Sequence, residues 1–327
     1  MAAAGLPVGE GPVMDMFVHS HRRERVHSRK AGGAALIMVL WLVAALSLVV
    51  VAGAQGVRQQ AQRASLDMER LRAESALDPA IQLVAQKLLA DKGAESQYRI
   101  QRLALGQSDV WVEVTPSGGL VDVNVAGDAL LQALFSRAGG LSAGEAAILA
   151  SRVRDYIDPD DTPGGVGGAE AAQYRAAGWP SLPRNGALDD ISELKSVLGM
   201  TPGLYDIIAP HLGINGQQRI EIDSAPPALI DALTGQPGLG TRVRNSPPET
   251  RAGVLLSGAA AEFFTPARSS GAQTVRLSAY VRAGSGRWWL REVWMDLSER
   301  PDALTPWTTL SIEPTRRFLK PEQEFKS

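Results

Sequence analysis

The chain has 327 residues, 45% of them hydrophobic and 21% charged, a globular composition with room for one large domain or two modest ones beside an anchor. Its formal net charge of −2 supplies no general excess of base for a nucleic-acid surface. It has no cysteine, and of four histidines only His211 lies in the body. Thiolate metal sites, disulfides, cysteine nucleophiles and multi-histidine centres are thereby excluded there.

The first element is apolar. Ala34–Ala54 contains no charged residue, and at 1.5 Å per residue it reaches roughly 30 Å, the hydrocarbon thickness of a bilayer. Arg22, Arg23, Arg25, Arg29 and Lys30 precede it, opposed locally by Glu24 alone. This asymmetry predicts residues 1–33 on the cytoplasmic side, a transmembrane helix over 34–54, and the rest exported. No proline interrupts the next stretch until Pro79. Leu66, Leu71, Leu77, Ile81, Val84 and Leu88 recur at helical spacing, so the helix is expected to continue as an amphipathic stalk over 55–95.

Residues 96–125 open a mixed region. Asp109–Thr115 alternates apolar and polar residues and meets Pro116-Ser117-Gly118-Gly119. Leu120–Val125 alternates again, which predicts strand, turn, strand. Helical patterns follow within 126–218, at Asp128–Arg137, Ser142–Tyr156, Glu170–Ala177, Asp190–Leu198 and Pro202–Ala209, with an Asp-, Pro- and Gly-rich loop over 158–168.

An internal repeat starts the last region, 219–312. VDVNVA at 121–126 leads to ALLQAL at 129–134, and ninety-nine residues later IEIDSA at 220–225 leads to ALIDAL at 228–233. Both read as a short strand passing through Asn124 or Asp223, an expected N-cap, into a helix. Residues 234–271 are rich in Gly, Pro and Ser, with one short helix at Glu249–Gly258. Gln273–Arg282 and Arg287–Leu297 form a hairpin around Gly284-Ser285-Gly286, and a last strand lies at Thr308–Ile312. Residues 313–327 read as a flexible tail. The expected fold is α+β: a long N-terminal helix and a sheet domain interrupted by a large, mainly helical insertion.

A basic segment, then Gly33, then a long apolar helix merging with an amphipathic one resembles the leader and stalk of type IV pilin-like proteins. The resemblance implies cleavage by a prepilin peptidase between Gly33 and Ala34. Most pilins carry glutamate five residues after the cut, where this chain has Met38. That absence, the helical insertion, the run Asp155-Tyr156-Ile157-Asp158-Pro159-Asp160-Asp161 with Gly168-Ala169-Glu170 and Tyr174, and Ser192–Thr201 are together similar to the K-type minor pseudopilins of type II secretion systems. The family usually has Trp at the position of Tyr156. The resemblance extends from Gly33 to about Ile312. It implies a bacterial inner-membrane protein with a periplasmic body that caps the pseudopilus tip and helps start its assembly for export of folded proteins. It also implies partnership with I- and J-type minor pseudopilins and the major pseudopilin.

Asp158, Asp160 and Asp161 share one turn, and Glu170 returns beyond a glycine-rich stretch. Clustered hard oxygens suit Ca²⁺, which accepts six to eight oxygen ligands in variable geometry. The twelfth position counted from Asp158 is Ala169, so the spacing is not that of an EF-hand and loop carbonyls are needed to complete the shell. Calcium binding in the helical domain is also what the resemblance implies.

The alternative function is a membrane-anchored DNA-binding protein. Ser196–Pro210 and Pro237-Gly238-Leu239-Gly240, the latter followed by Arg242 and Arg244, resemble helix-hairpin-helix (SAM-like) modules that grip phosphates through backbone N–H groups. Net charge and expected topology oppose it, and no nucleic-acid partner is expected. Nor is catalysis: no phosphate loop, GxSxG, HExxH or GxGxxG follows a strand, and His211, in an apolar helix-end context, reads as structural.

Overall fold

The structure, a computed structural model, describes residues 32–91, 97–256, 258, 260–266, 273–298 and 305–318. The leader expected at 1–33 therefore lies almost wholly outside the described residues. The chain divides into two compact units, Met1–Arg63 and Ala64–Ser327.

The first helix, α1, spans Gly32–Ala90. In the first unit its segment Gly33–Val51 is long and apolar enough to cross a membrane. Leu36, Trp41, Leu48 and Val50 are all exposed, so the apolar surface is uncovered on every side. Burying such side chains is worth about 1.5–3 kcal/mol each, a gain that lipid supplies where protein does not. The segment fits a single-pass anchor.

In the second unit α1 becomes one-sided. Ala73, Leu77, Ala80, Ile81, Val84, Ala85 and Leu88 are buried at the spacing of one helix face. Leu71, expected on that face, is exposed. The helix passes through Pro79. An interior proline costs about 3 kcal/mol, which the burial of Leu77, Ala80 and Ile81 around it offsets. The stalk is shorter than the expected 55–95, ending at Ala90 with a last helical bond from the Asp91 N–H to the Lys87 carbonyl, 3.0 Å.

That face rests on an antiparallel sheet. Strand β1 (Arg99–Leu105) turns through Gly106, at φ +59°, into β2 (Ser108–Pro116). Sequence reading missed β1, whose exposed positions are polar and apolar alike.

The strand expected over Leu120–Val125 forms only in part. A 3₁₀ turn at Ser117–Gly119 leads to β3, only Val121–Asp122. The Asp122 carboxylate cuts the strand short: Oδ1 accepts the Asn124 N–H (2.9 Å), and Oδ2 accepts those of Asn215 and Gly216 (2.7 Å each). The glycines serve close approach, because a Cβ on Gly119 would collide with the Ser224 carbonyl.

The helical body then follows. Its elements are α2 (Asp128–Ala133, extended by a π turn to Ala138), α3 (Ala143–Ile157), α4 (Ala171–Ala176) and α5 (Pro202–Ile208). Strand β4 (Leu212–Gly213) pairs with β3 in parallel. Asp190–Leu198, expected as an α-helix, is a 3₁₀ turn at Ile191–Ser196 capped reciprocally by Asp190 and Glu193.

The second repeat holds β5 (Ile220–Glu221), α6 (Pro227–Thr234), α7 (Leu239–Asn245), α8 (Pro248–Leu255) and β6 (Phe264–Thr265), with β6 parallel to β5. The repeat is physical. Val125 and Ala126 N–H groups bond the Asp122 carbonyl, and Ser224 and Ala225 N–H groups bond the Glu221 carbonyl, at the same offset of ninety-nine. The helix N-caps are Gly127 and Pro226 instead of Asn124 and Asp223. Asn124 bridges to the Leu188 backbone with both side-chain atoms, and Asp223 pairs with Arg251 at 3.0 Å. The expected boundary at 218/219 is not where the cores divide: one buried cluster runs from Val121 to Phe264 and includes both repeats.

The chain returns to the sheet through β7 (Thr274–Arg282) and β8 (Trp288–Asp296), in register Arg282↔Trp288, and continues to β9 (Thr308–Ile312) and β10 (Arg316–Phe318). The order is β1-β2-β7-β8-β10, with β9 also on β8. Strand β10 corrects the reading of a frayed tail from residue 313. A second core joins α1 to Val110, Val112 and Val114 of β2, Leu277 of β7, and Val293 of β8. The helical body is thus inserted between β2 and β7, as the sequence pattern predicts.

Candidate cation site in the helical body

Helix α3 starts on a capping box, Ser142 with Glu145, and buries Ala146, Leu149, Ala150 and Val153. Its last turn carries an acid, Asp155, which is 1% exposed. A helix C-terminus disfavours negative charge, so this carboxylate has another task. Oδ1 accepts the Gly164 N–H (3.0 Å) and Oδ2 the Ala169 N–H (2.6 Å), folding the loop back over the helix end. Arg152 Nε adds a bond to the Gly167 carbonyl, 3.1 Å. The tight return needs glycine at 168, where a Cβ would strike the Gly164 carbonyl and Asp155 itself.

This fold-back brings Asp158, at the C-cap of α3, against Glu170, at the N-cap of α4. One carboxylate oxygen each from Asp158, Asp160 and Glu170 lie within 4.8 Å of one another. Oxygens on opposite sides of a Ca²⁺ at 2.3–2.6 Å stand about 5 Å apart, so the spacing fits that ion. Asp161 is not brought into the cluster; it is exposed, and its Oδ1 accepts from Asn185 Nδ2 at 3.1 Å. Of the four expected ligands the fold gathers three. The residue that organises them, Asp155, was missed as a site residue. An acid on the final turn of a helix was the available signal.

The cluster is electrostatically unbalanced. Glu170 is 2% exposed. Burial, with repulsion from Asp155, Asp158, Asp161 and Asp160, pushes its carboxyl up to about 7. Burial and then Asp160 raise Asp158, and burial raises Asp155. Asp158 Oδ1 and both Glu170 carboxylate oxygens are buried without a hydrogen-bond partner. Each such oxygen costs about 1–3 kcal/mol unless something positive meets it.

The other sequence candidates are located as well. Gly33 and Ala34 lie in the first turn of α1 and are exposed. The hairpin amides expected to hold phosphate are already occupied. Asp231 of α6 accepts the N–H groups of Gly238 (2.7 Å) and Gly240 (2.6 Å), an internal anion where DNA would place its own. At the first hairpin, the Leu198 N–H donates to Tyr174 Oη at 2.9 Å and the Leu204 N–H to Thr201 Oγ1 at 3.2 Å. His211 stands in a 3₁₀ turn, and burial, with Arg276 nearby, drives its imidazole down to about 4.

Residues 117–215 match the family model of type II secretion system (T2SS), protein K, a segment that includes Asp155, Asp158, Asp160 and Glu170. No curated protein matches the chain. A chain of the GspK-GspI-GspJ complex from the type 2 secretion system of enterotoxigenic Escherichia coli is similar in structure. It has 17% identity and a TM-score of 0.50 over 80% of this chain and 100% of that one. The likeness extends the agreement from the helical body to the α+β fold around it.

Proposed function

We infer that the chain works at the tip of a periplasmic pseudopilus, from the premise that it is a K-type minor pseudopilin of a type II secretion system. One observation carries the reading. The family match falls on the helical segment inserted between β2 and β7, within a sheet packed on a long helix whose N-terminal part is an apolar span.

In this role the basic leader stays in the cytoplasm and a prepilin peptidase cuts between Gly33 and Ala34. The apolar helix then packs among other pseudopilin helices at the inner membrane. Met38 replaces a carboxylate that would be costly in lipid unless a neighbour's amine met it, which suits a subunit with none above. The body caps the fibre beside I- and J-type minor pseudopilins, above the major pseudopilin, and primes assembly. It is an assembly component and not an enzyme. The similar complex, which unites GspK with GspI and GspJ, supports that choice of partners. Asp158, Asp160 and Glu170 hold Ca²⁺, with loop carbonyls completing the shell.

The test replaces the chain by Gly33→Leu in its own host. The variant is expected to keep its leader, read as slower gel migration, and to leave folded cargo in the periplasm while transport across the inner membrane continues. Normal trimming with normal secretion overturns the assignment.

A further inference from the structure

The helical body and the sheet flank a cleft of about 700 Å³. Lys195, Tyr205 and Ile214 line it on the helical side, and Trp294, Leu310 and Glu313 on the sheet side. Two of its aromatic rings already carry a cation: Lys195 Nζ stands 4.4 Å from the Tyr205 centroid, and the Arg276 guanidinium 5.6 Å from that of Trp294. Arg276 also donates to the Pro210 carbonyl (2.8 Å), and Arg316 is paired with Glu292. The basic groups of the cleft are therefore engaged.

Its acids are not. Asp206 and Glu313 are exposed. The Asp206 side chain makes no hydrogen bond or ion pair among the described residues, and Glu313's carboxylate has only a 3.5 Å contact from Ser311 Oγ. Both bear on Tyr205, whose phenol is pushed up to about 12 by burial, then Asp190, Glu313 and Asp206. Beside them sits uncovered apolar surface, Leu310 at 54% and Ile214 at 37% exposure. Leu310 is left out of the ladder by a bulge, since Trp294 faces Ser311 and Met295 faces Thr309. Among the described residues β9 pairs with β8 alone, so its outer edge is open.

We propose that this cleft is a docking groove for an extended segment of an I- or J-type minor pseudopilin carrying a lysine or arginine next to an apolar side chain. The apolar group covers Leu310 and Ile214, the cation meets Asp206 and Glu313, and the segment's main chain lies along β9. The acid surplus selects against phosphate-bearing partners, lipid headgroups and nucleic acid alike, and favours a basic peptide. The inference rests on the pseudopilin reading.

The test places a photo-crosslinking benzoylphenylalanine at Leu310 of the full chain, co-expressed with its I-, J- and major-type pseudopilins and extracted in detergent. The expected result is an adduct with the I- or J-type subunit that falls at least tenfold when Asp206→Lys and Glu313→Lys are combined. Both positions are exposed, and an unchanged melting temperature shows that the double variant is folded. If the I- and J-type subunits co-purify yet no adduct forms, the groove is wrong and the pseudopilin reading stands. An adduct only with a second copy, the major pseudopilin or cargo also overturns it. If neither subunit co-purifies, both readings fail.

Discussion

At the scale of single residues, the informative group is Glu170. A folded-state carboxyl near 7 against an ordinary 4.5 means that the native protein keeps a proton the unfolded chain has released. Stability without metal therefore falls as pH rises from about 4.5 to about 7, by up to about 3 kcal/mol, and Asp158 and Asp155 shift in the same direction. A divalent cation held as proposed would reverse the balance, because it would bind the ionised carboxylates. Chemical denaturation at about pH 5 and pH 8, with and without millimolar calcium, is expected to show calcium stabilising the protein strongly only at the higher pH. Glu170→Gln should flatten the metal-free pH dependence and remove most of the calcium effect. A calcium response that survives this substitution would move the site elsewhere.

The same residues show how far the site was readable beforehand. Three carboxylates within a Gly- and Pro-rich loop are visible as a pattern, whereas the direction each one points is a matter of backbone. Asp161 follows Asp160 directly and is turned toward Asn185. Asp231 is a sharper case. The glycines after it looked ready for phosphate, and only the folded hairpin reveals a carboxylate already there.

Among elements, the legible ones carry strong period. The β7–β8 hairpin alternates and has a glycine turn, and α3 has a capping box and an apolar stripe. Of the short elements in glycine- and proline-rich sequence, α8 was legible, expected at Glu249–Gly258 and formed at Pro248–Leu255, while others were not. α7 opens on Gly238 at φ +80° and covers seven residues, too few for periodicity to speak. Strand β10 has three residues, held by pairing with Arg316↔Leu290 that no local pattern announces.

The contact between α1 and the hairpin also depends on tertiary placement. Glu69 accepts from Ser285 Oγ (2.6 Å), Arg287 (2.8 Å) and Trp289 Nε1 (3.1 Å), and these bonds, that of Ser285 first, hold its carboxyl below the ordinary range. Arg291 pairs with Asp78 at 2.6 Å two turns further on. Glu69→Ala is expected to cost about 1–2 kcal/mol in equilibrium unfolding, since the bonds are charge-assisted but partly solvated. A neutral outcome would mean that the hairpin tip is positioned by its strands alone.

For the molecule as a whole, the sequence order of helix, strands, helical insertion and hairpin maps onto one sheet domain interrupted once. What composition could not reveal was where the insertion ends. The second repeat carries a strand-like start and lies next to a β-rich region, but its buried residues Ile220, Leu229, Ile230 and Leu233 join the first repeat's core.

That union has a tight seam. The two strand-to-helix units meet where Gly119 passes the Ser224 carbonyl, main chain against main chain. No rotamer change can yield there, so a lone methyl group must push the paired halves apart. Gly119→Ala is expected to lose about 3 kcal/mol in thermal or denaturant unfolding. Gly144→Ala, inside α3, where a Cβ meets nothing within 4 Å, serves as the harmless counterpart. Side chains around the seam are free to diverge between the two copies, while the spacing of their backbones is not.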